Sequence, residues 1–282
     1  DKYRRGVVGI VAGSDTYPGA GLLTTFAASN TGVGMVRLNS TRRVEDLVLH
    51  YAPGVVTVGG RIQSGVIGPG CTNERYEDCR ELAQFCIESK LPLVIDAGAL
   101  DLVKGLRDYA DAHSRSLSRT ILTPHHGEAA RLLTQLGSPR SRADIDADPA
   151  ASAKELASLT GAIILLKSAT TLCSYLHHDQ GSRTQEILSI PQETPWAGVA
   201  GSGDVLAGTV AGIAAGFQAR AERSQGNPSI SEAECASLAS LGAWVHAQAA
   251  LRASMGSEGK TCPIQAIDIA RALPEIIGGL CS

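Results

Sequence analysis

Short apolar runs alternate with amphipathic stretches along most of the chain. Six runs rich in Val, Ile and Leu are bounded by glycine, proline or polar residues: Gly6–Ala12, Val33–Leu38, Ile62–Ile67, Pro92–Ile95, Thr120–Leu122 and Ala162–Leu166. Runs of this length and composition predict buried strands. Between them, apolar residues recur at helical spacing in Leu22–Ala27, Cys79–Cys86 and Ala129–Leu136. Beyond residue 203 helical patterns dominate.

Strands that alternate with helices favour a mostly parallel sheet with helices on both faces. In such sheets ligands bind outside the carboxyl ends of the strands. Most of the polar and glycine-rich clusters of this chain follow predicted strands, so we expect them to converge at one edge. The polar segment Ser138–Pro149 is either a linker or a surface loop.

Composition and charge narrow the class of protein. The 282 residues are 44% hydrophobic and 19% charged, which is typical of a globular chain. A net charge of −3, from 25 basic and 28 acidic side chains, argues against a nucleic-acid partner. Seven cysteines without a C-x-x-C pair argue against a disulfide framework and favour a reducing cytoplasm. No run approaches the roughly 20 apolar residues that span a bilayer, so we expect a cytoplasmic protein without a membrane partner.

A glycine-rich loop precedes a helical pattern in the C-terminal third. Gly198–Asp204 reads GVAGSGD. Glycines let the backbone turn its N–H groups inward, and a helix start carries roughly half a positive charge. We therefore expect Gly201, Ser202 and Gly203 to form an anion hole suited to a phosphate. Asp204 has two interpretations: a helix cap, or a base that takes a proton from a hydroxyl attacking that phosphate.

Two further polar clusters follow predicted strands. Lys167 ends an apolar run and precedes the hydroxyl-rich Ser168–Thr171. It is either an ordinary charge at a strand end or a nucleotide contact. Thr123–Glu128 reads TPHHGE at a junction between a strand and a helix, where Glu128 could cap the helix.

The sequence lacks the motifs of several known classes of binding site. No G-x-x-x-x-G-K-[ST] sequence is present, which disfavours a P-loop NTPase. The loop Gly13–Ala20 lacks G-x-G-x-x-G spacing, so a Rossmann site is not supported. The histidine pair of TPHHGE is too small a set for zinc, and no metal ligands are predicted. We predict His177 and His178 in a turn and His246 on an alanine-rich helix, all structural or solvated. Trp196 either stacks on a ligand or packs under the loop.

Taken in chain order, these clusters resemble one known family. GSDTYPGAG, VIGPG, LVIDAGAL, ILTPHHGEAARLL, ILLKSATT and GVAGSGDVLAGTVAGIAA are similar to segments of the ADP-dependent NAD(P)H-hydrate dehydratases. GSGD alone marks only the ribokinase-like superfamily, whereas its combination with TPH-x-GE is more specific. The resemblance implies one ribokinase-like domain over residues 1–282, a three-layer α/β/α sandwich with a mostly parallel central sheet.

The resemblance also implies a reaction that repairs nicotinamide nucleotides. The S-forms of NADH hydrate and NADPH hydrate carry a hydroxyl on C6 of the reduced ring. ADP phosphorylates that hydroxyl, and elimination of phosphate then restores the dinucleotide and leaves AMP. Activation as a phosphate ester is needed because hydroxide leaves poorly near neutral pH.

Site residues carried over from the family fall into two groups. The hydrated dinucleotide would contact Ala20, Gly70, His125 and the catalytic base Asp204. The adenine nucleotide would contact Lys167, Ser168, Ala169, Thr170, Thr171 and Gly203. Mg²⁺ would accompany the phosphates of the co-substrate ADP. The family further implies a homo-oligomer, a tetramer, and an NAD(P)H-hydrate epimerase as functional partner, fused to this domain in some relatives.

Five positions depart from the family pattern as the resemblance defines it. They are Thr72 for glycine, Gly98 for aspartate, His126 for proline, Ser168 for glycine and Ser202 for threonine. None removes the proposed base. We expect them to alter affinity or the choice of phosphate donor.

Two alternatives use the same residues. An ATP-dependent kinase of a small alcohol would employ Asp204 and the anion hole and leave the phosphate on its product. The TPHHGE cluster around His125 favours the dehydratase. A non-catalytic nucleotide-binding module of the same fold is motivated by the departures at Thr72, Gly98 and Ser168, while the intact Asp204 argues against it.

Overall fold

Within the described residues of this computed structural model, which are 1–179, 182–224, 229–256 and 259–281, eight strands form one sheet. The strands are β1 Val7–Val11, β2 Met35–Asn39, β3 Ser64–Ile67, β4 Leu93–Ile95, β5 Thr120–Leu122, β6 Ile163–Leu166, β7 Thr170–Asp179 and β8 Ser182–Pro191. Their order is β2-β1-β3-β4-β5-β6-β7-β8. All pairs from β2 to β6 are parallel, whereas β7 is antiparallel to both β6 and β8.

Helices cover both faces of this sheet. They are α1 Pro18–Asn30, α2 Arg42–Tyr51, α3 Tyr76–Glu88, α4 Val103–Ala112, α5 His126–Gln135, α6 Arg142–Ala147, α7 Pro149–Thr160, α8 Ser202–Ala221, α9 Glu232–Ser254 and α10 Ala266–Cys281. One buried cluster joins the sheet to α1, α2, α8, α9 and α10, and a second joins it to α3 through α7. The result is the predicted three-layer α/β/α sandwich.

Alternation along each strand assigns side chains to the two cores. In β1, Val8 and Ile10 belong to the first cluster, whereas Val7 and Val11 belong to the second. Side chains of a strand point alternately to opposite faces, so a strand buried on both faces must be apolar at every position. That requirement explains why these segments appear in the sequence as uninterrupted apolar runs.

The described structure confirms the six predicted strands and corrects two other predictions. His177 and His178 were predicted in a turn, but both lie in β7, and residues 180 and 181 lie outside the described part. The sequence pattern did not reveal β7 and β8, because their mixed polar residues lack the apolar runs of the buried strands. The polar segment Ser138–Pro149 contains the short helix α6.

The parallel register brings the carboxyl ends of β1, β3, β4, β5 and β6 to one edge of the sheet. The loops that follow these strands contain the polar clusters found in the sequence. None of the helices among the described residues combines the length and apolar composition that crossing a bilayer requires. The six cysteines whose side chains are described are all free thiols.

Candidate active site

The ends of three neighbouring strands place four polar side chains side by side. Asp96 follows β4, Thr123 and His125 follow β5, and Lys167 follows β6. The Lys167 N–H donates to the carbonyl of Pro124 (2.8 Å), which extends the β5–β6 register into the loops. Residues far apart in the chain therefore meet at the carboxyl edge, as the parallel topology predicts.

Lys167 is held by a buried carboxylate. Its Nζ lies 2.6 Å from Asp96 Oδ1, which also accepts a hydrogen bond from the Thr123 hydroxyl (2.7 Å). Asp96 is 2% exposed, and Glu128 Oε2 lies 3.8 Å from the same Nζ. Burial alone would lower the pKa of Lys167, but the nearby carboxylates outweigh it and leave that pKa raised. Lys167 is therefore a fixed positive charge rather than a mobile charge at a strand end.

The N-terminus of α5 is closed by a reciprocal cap. His125 Nδ1 accepts hydrogen bonds from the N–H groups of Gly127 (3.0 Å) and Glu128 (3.2 Å), and Glu128 Oε2 accepts one from the N–H of His125 (2.8 Å). The predicted capping role of Glu128 is confirmed. Because Nδ1 of His125 is occupied, Nε2, which lies 3.6 Å from Glu128 Oε2, is the ring nitrogen that a ligand could meet.

The glycine loop leaves two backbone donors without an acceptor, and one of them belongs to a residue next to Lys167. Gly201 has φ +90°, and a Cβ there would lie 2.5 Å from Leu23 Cδ1 of α1, so the position requires glycine. A Cβ on Gly203 would lie 3.3 Å from Lys167 Nζ. Among the described residues the N–H groups of Gly201 and Gly203 have no backbone acceptor, whereas that of Ser202 donates to the carbonyl of Val199 (3.2 Å). Two of the three residues predicted to form the anion hole thus keep a free donor.

Asp204 lies in the first turn of α8 without a hydrogen bond from any described residue. The helix-capping interpretation is therefore not supported. Burial raises the pKa of Asp204 to about 7, and the negative charge of Asp96 adds to this effect, while Lys167 opposes it. A carboxyl with a pKa near neutrality can both accept and release a proton at physiological pH.

A buried histidine contacts the loop from α9. His246 Nε2 lies 3.1 Å from the carbonyl oxygen of Ser202 and 3.2 Å from its hydroxyl. His246 is 3% exposed, and burial lowers its pKa to about 4. The ring is consequently neutral near pH 7. Its predicted place on an alanine-rich helix is confirmed, and its burial rules out the solvated alternative.

A cavity of about 840 Å³ opens beside the loop. Five of the six residues predicted to contact the nucleotide line this cavity: Lys167, Ser168, Ala169, Thr171 and Gly203. Thr170, the remaining member of that group, is exposed on β7 and does not line the cavity. His125, predicted on the dinucleotide side, lines the same cavity. Trp196 does not line it, although its neighbours Pro195 and Ala197 do.

Ala20 and Gly70 meet outside this cavity. Gly70 has φ +64°, and a Cβ there would lie 2.5 Å from Ala20 Cβ. These two residues, at the start of α1 and after β3, form a second wall of the carboxyl edge. The contacts of both groups with ligands remain predictions.

Two of the departures from the family pattern, Gly98 and Thr72, lie near each other. A Cβ on Gly98 would lie 2.3 Å from the carbonyl oxygen of Cys71, the residue before Thr72. An aspartate at 98 therefore does not fit this backbone. Ser168, a third departure, donates its hydroxyl hydrogen to the carbonyl of Thr170 and ties its own loop together.

Comparison with known proteins decides the family. The family model described as NAD(P)H-hydrate dehydratase matches residues 8–272. The chain belongs to the NAD(P)H-hydrate dehydratase family. This confirms the resemblance found in the sequence and places the protein in a family of lyases.

Two relatives in the dehydratase family are similar to this chain. The chain is 36% identical over 220 residues to the bifunctional NAD(P)H-hydrate repair enzyme Nnr of Mycobacterium tuberculosis, covering 76% of this chain and 42% of the relative. It thus spans less than half the length of such bifunctional relatives. It is 30% identical over 258 residues to the ADP-dependent (S)-NAD(P)H-hydrate dehydratase of Neisseria meningitidis, covering 87% of this chain and 76% of the relative.

A solved structure shares the fold. The ADP/ATP-dependent NAD(P)H-hydrate dehydratase from Bacillus subtilis, co-crystallised with ATP and Mg²⁺, superposes with a TM-score of 0.72 at 21% identity. The match covers 99% of this chain and 91% of that chain. The expected ribokinase-like α/β architecture of the dehydratase family is confirmed.

Asp96 is the site residue that sequence reasoning missed. Asp96 directly follows the predicted strand Pro92–Ile95, and in the structure it is the acidic partner of Lys167. A signal was present, because an acidic residue directly after a buried apolar run of a parallel sheet falls at the ligand-binding edge. Its partner could not be read from the chain, since 71 residues separate the two.

Proposed function

We propose that this chain catalyses the ADP-dependent dehydration of the S-forms of NADH hydrate and NADPH hydrate, giving NADH or NADPH, AMP and phosphate. Family membership and the relative from Neisseria meningitidis support the reaction class. The observation that carries the proposal is Asp204, a carboxyl with a pKa of about 7 beside two free backbone N–H groups and a fixed lysine.

In the first step Asp204 takes the proton of the C6 hydroxyl. The freed oxygen forms a bond to the β-phosphorus of ADP, the bond between that phosphorus and the bridging oxygen breaks, and AMP leaves. In the second step the C6–O bond breaks with departure of phosphate, and a proton is lost from the adjacent ring carbon, which restores the double bond. A positioned base contributes about 10²- to 10⁴-fold to such a proton transfer.

The donors around the loop are suited to the charge that develops on the phosphoryl group. Gly203 and Lys167 both line the cavity and lie next to each other, and Gly201 is two residues before Gly203 in the same loop. Fixed donors in a partly buried site stabilise such charge without reorganising during the reaction. Asp96 contributes by holding Lys167 in place.

The carboxylates around Lys167 are compatible with Mg²⁺ brought by the nucleotide. Asp96, Glu128 and Asp204 offer the oxygen donors that this ion prefers. Among the described residues, no group of three metal-ligating side chains is arranged to hold a metal alone. That donor set fits an ion bound mainly through phosphate oxygens. When bound, it would neutralise charge on the transferring phosphate.

The deciding experiment follows the reduced nicotinamide directly. The purified chain is mixed with hydrated NADH, Mg²⁺ and ADP, and the near-ultraviolet absorbance of the reduced ring is recorded. We expect recovery that requires ADP and releases AMP and phosphate. Asp204→Asn serves as the matched control.

Other outcomes identify the alternatives. A product that retains phosphorus would indicate a kinase and overturn the dehydratase. Nucleotide binding without recovery from either ADP or ATP would indicate a different acceptor alcohol or a non-catalytic module. His125→Ala separates the two sides of the site: we expect weaker binding of the hydrated dinucleotide, and a loss confined to ADP would move His125 to the nucleotide side.

The remaining parts of the proposal concern the protein's surroundings. We infer a homo-oligomer, a tetramer as the family resemblance implies, and functional cooperation with an NAD(P)H-hydrate epimerase. The bifunctional relatives, of which this chain spans less than half, support a partner activity. Sedimentation velocity at several concentrations tests the oligomer. The cytoplasmic location stays a prediction from the reduced cysteines.

A further inference from the structure

Two residues that line the 840 Å³ cavity each hold a buried side-chain acceptor without a partner. In the described part of the chain, seven buried side-chain nitrogen or oxygen atoms lack a hydrogen-bond partner, and two of the seven are Gln192 Oε1 and His246 Nδ1. The other five belong to residues that do not line this cavity. A buried polar atom without a partner destabilises the fold, so two at one cavity point to a ligand that satisfies them.

The contacts of His246 determine which of its nitrogens can accept. Its Nε2 lies 3.1 Å from the carbonyl oxygen of Ser202, and a carbonyl can only accept. The hydrogen of the neutral ring is therefore on Nε2, and Nδ1 carries a lone pair. One ring thus contacts the glycine loop through Nε2 and keeps an unpaired acceptor at Nδ1.

Gln192 lies where the nucleoside part of a bound nucleotide would reach. Its N–H donates to the carbonyl of Ala169 (3.0 Å), two residues beyond Lys167. Two residues span at most about 7 Å. That distance is comparable with the separation of base and phosphate across a ribose, so phosphates at Gly203 and Lys167 would place the nucleoside beside Gln192.

The donors of ADP complement these two acceptors. Its nucleoside part donates hydrogens from the adenine 6-amino group and from two ribose hydroxyls, and its other polar atoms accept. We propose that Gln192 Oε1 and His246 Nδ1 select the phosphate donor by accepting hydrogens from the adenine amino group and the ribose. This inference rests on the proposed function, since it takes the cavity as the ADP site.

Buried hydrogen-bond acceptors discriminate between ligands by disfavouring those that lack the matching donor. An analogue that lacks the donor leaves a buried acceptor unpaired and loses affinity, whereas an apolar wall would bind both analogues alike. The inference therefore predicts coupling between each acceptor and one donor group of the ligand, rather than a uniform loss of affinity.

The test is calorimetric binding in Mg²⁺ without the hydrated dinucleotide. The ligands are ADP, purine riboside 5′-diphosphate, which lacks the amino group, and 2′,3′-dideoxyADP, which lacks both hydroxyls. The variants are Gln192→Leu and His246→Gln, whose amide nitrogen can still donate to Ser202. Gln248→Leu is the control, because Gln248 donates to Glu193 (3.3 Å) away from the cavity lining.

We expect each test variant to bind ADP about 5- to 30-fold more weakly than the control, which corresponds to about 1–2 kcal/mol. Each variant should bind one of the two analogues as tightly as it binds ADP, because the donor that this analogue lacks is the one that met the lost acceptor. The other analogue should still bind more weakly than ADP. Gln192 is only partly buried, so its variant remains informative if His246→Gln fails to fold.

Contradictory results separate the two proposals. If the unmodified chain does not bind ADP, the proposed function fails at its first step. If it binds ADP and both variants bind it like the control, the function stands and the acceptor pair is wrong. Equal weakening of all three ligands in the variants would also overturn the inference, because it would show a change of shape.

Discussion

At the scale of single residues, the site is a set of charges that change one another's proton affinity. Asp96 is almost fully buried and paired with Lys167 at 2.6 Å, while Asp204 has no hydrogen-bond partner among the described residues. Burial and the charge of Asp96 raise the pKa of Asp204 to about 7. The paired carboxylate is thus a structural anion, and the unpaired one is suited to proton transfer.

Asp204→Asn tests the base. Asparagine keeps the size of the side chain but cannot take the proton, so we expect turnover to fall by about 10²- to 10⁴-fold with little change in ADP affinity. Steady-state kinetics and calorimetry measure the two quantities. Turnover within a few fold of the unmodified chain would remove Asp204 from the mechanism.

The pH dependence of kcat/KM should shift in opposite directions when each of the two charged neighbours of Asp204 is replaced. The unmodified chain should lose kcat/KM as pH falls through about 7, because the base becomes protonated. Asp96→Asn removes a negative charge, so the acidic limb should move to lower pH. Lys167→Met removes a positive charge and should move it to higher pH. Shifts in the same direction would exclude Asp204 as the titrating group.

Replacing Asp204 should stabilise the folded chain most at the pH values where the carboxyl of Asp204 is charged. The pKa of Asp204 is about 7 in the folded chain, whereas an aspartate surrounded by water has a pKa of 3.8, so its ionisation opposes folding. Asp204→Asn should raise the free energy of unfolding by about 1–3 kcal/mol above pH 7. The gain should shrink as pH falls from 7 toward 3.8. Urea titrations at pH 8 and pH 5 compare the two conditions, and an equal gain at both would contradict the raised pKa.

At the scale of elements, the close approach of α1 and α8 positions the glycine loop. Gly208 in α8 faces the backbone of α1, where an added Cβ would lie 2.2 Å from the carbonyl oxygen of Thr24. Backbone atoms cannot yield as a flexible side chain can. The two helices are therefore packed closely along the turn that follows Asp204.

Gly208→Ala and Gly216→Ala form a matched pair within α8. Alanine favours a helix by about 1 kcal/mol over glycine, yet at 208 the clash should lower the free energy of unfolding by about 1–3 kcal/mol. At 216 the nearest atom to a new Cβ is 3.7 Å away, so that variant should be unchanged or more stable. Denaturant titration measures both. Equal stability of the pair would contradict the close packing.

At the scale of the whole molecule, the cavity proposed to bind ADP lies at the junction of several elements. The cavity lining combines the loops after β5 and β6, the segment after β8, the first turns of α8, and α9. A ligand that contacts all of them stabilises the folded chain by mass action. ADP with Mg²⁺ at 100 times its dissociation constant should add about 2.7 kcal/mol.

Thermal unfolding with and without ADP measures this stabilisation. We expect the unfolding temperature to rise by several degrees, since each kcal/mol shifts a chain of this size by about 2–4 °C. Gly203→Val provides the comparison, because its side chain would enter the space near Lys167 Nζ. A shift of the same size in that variant would contradict the placement of the phosphates.

The sequence predicted the fold better than it predicted the site. Buried parallel strands must be apolar on both faces, so β1 and β3 to β6 were visible as apolar runs. The antiparallel strands β7 and β8 carry polar residues, so the sequence pattern did not predict them. Among the candidate site residues, the loop glycines and Asp204 were predicted because their motif is contiguous, whereas Gln192 of the cavity lining has no local pattern.

The sequence by itself determined the layered architecture, the convergence of loops at one edge, the family and the position of the glycine loop. These depend on local periodicity and contiguous motifs, which a linear chain displays. Only the tertiary structure decided that Asp96 holds Lys167, that Asp204 is no helix cap, that His246 supports Ser202, and that Gly98 is required beneath Cys71. The physical reason is the same in each case: proton affinity, hydrogen bonding and steric fit depend on distances between residues that folding alone brings together.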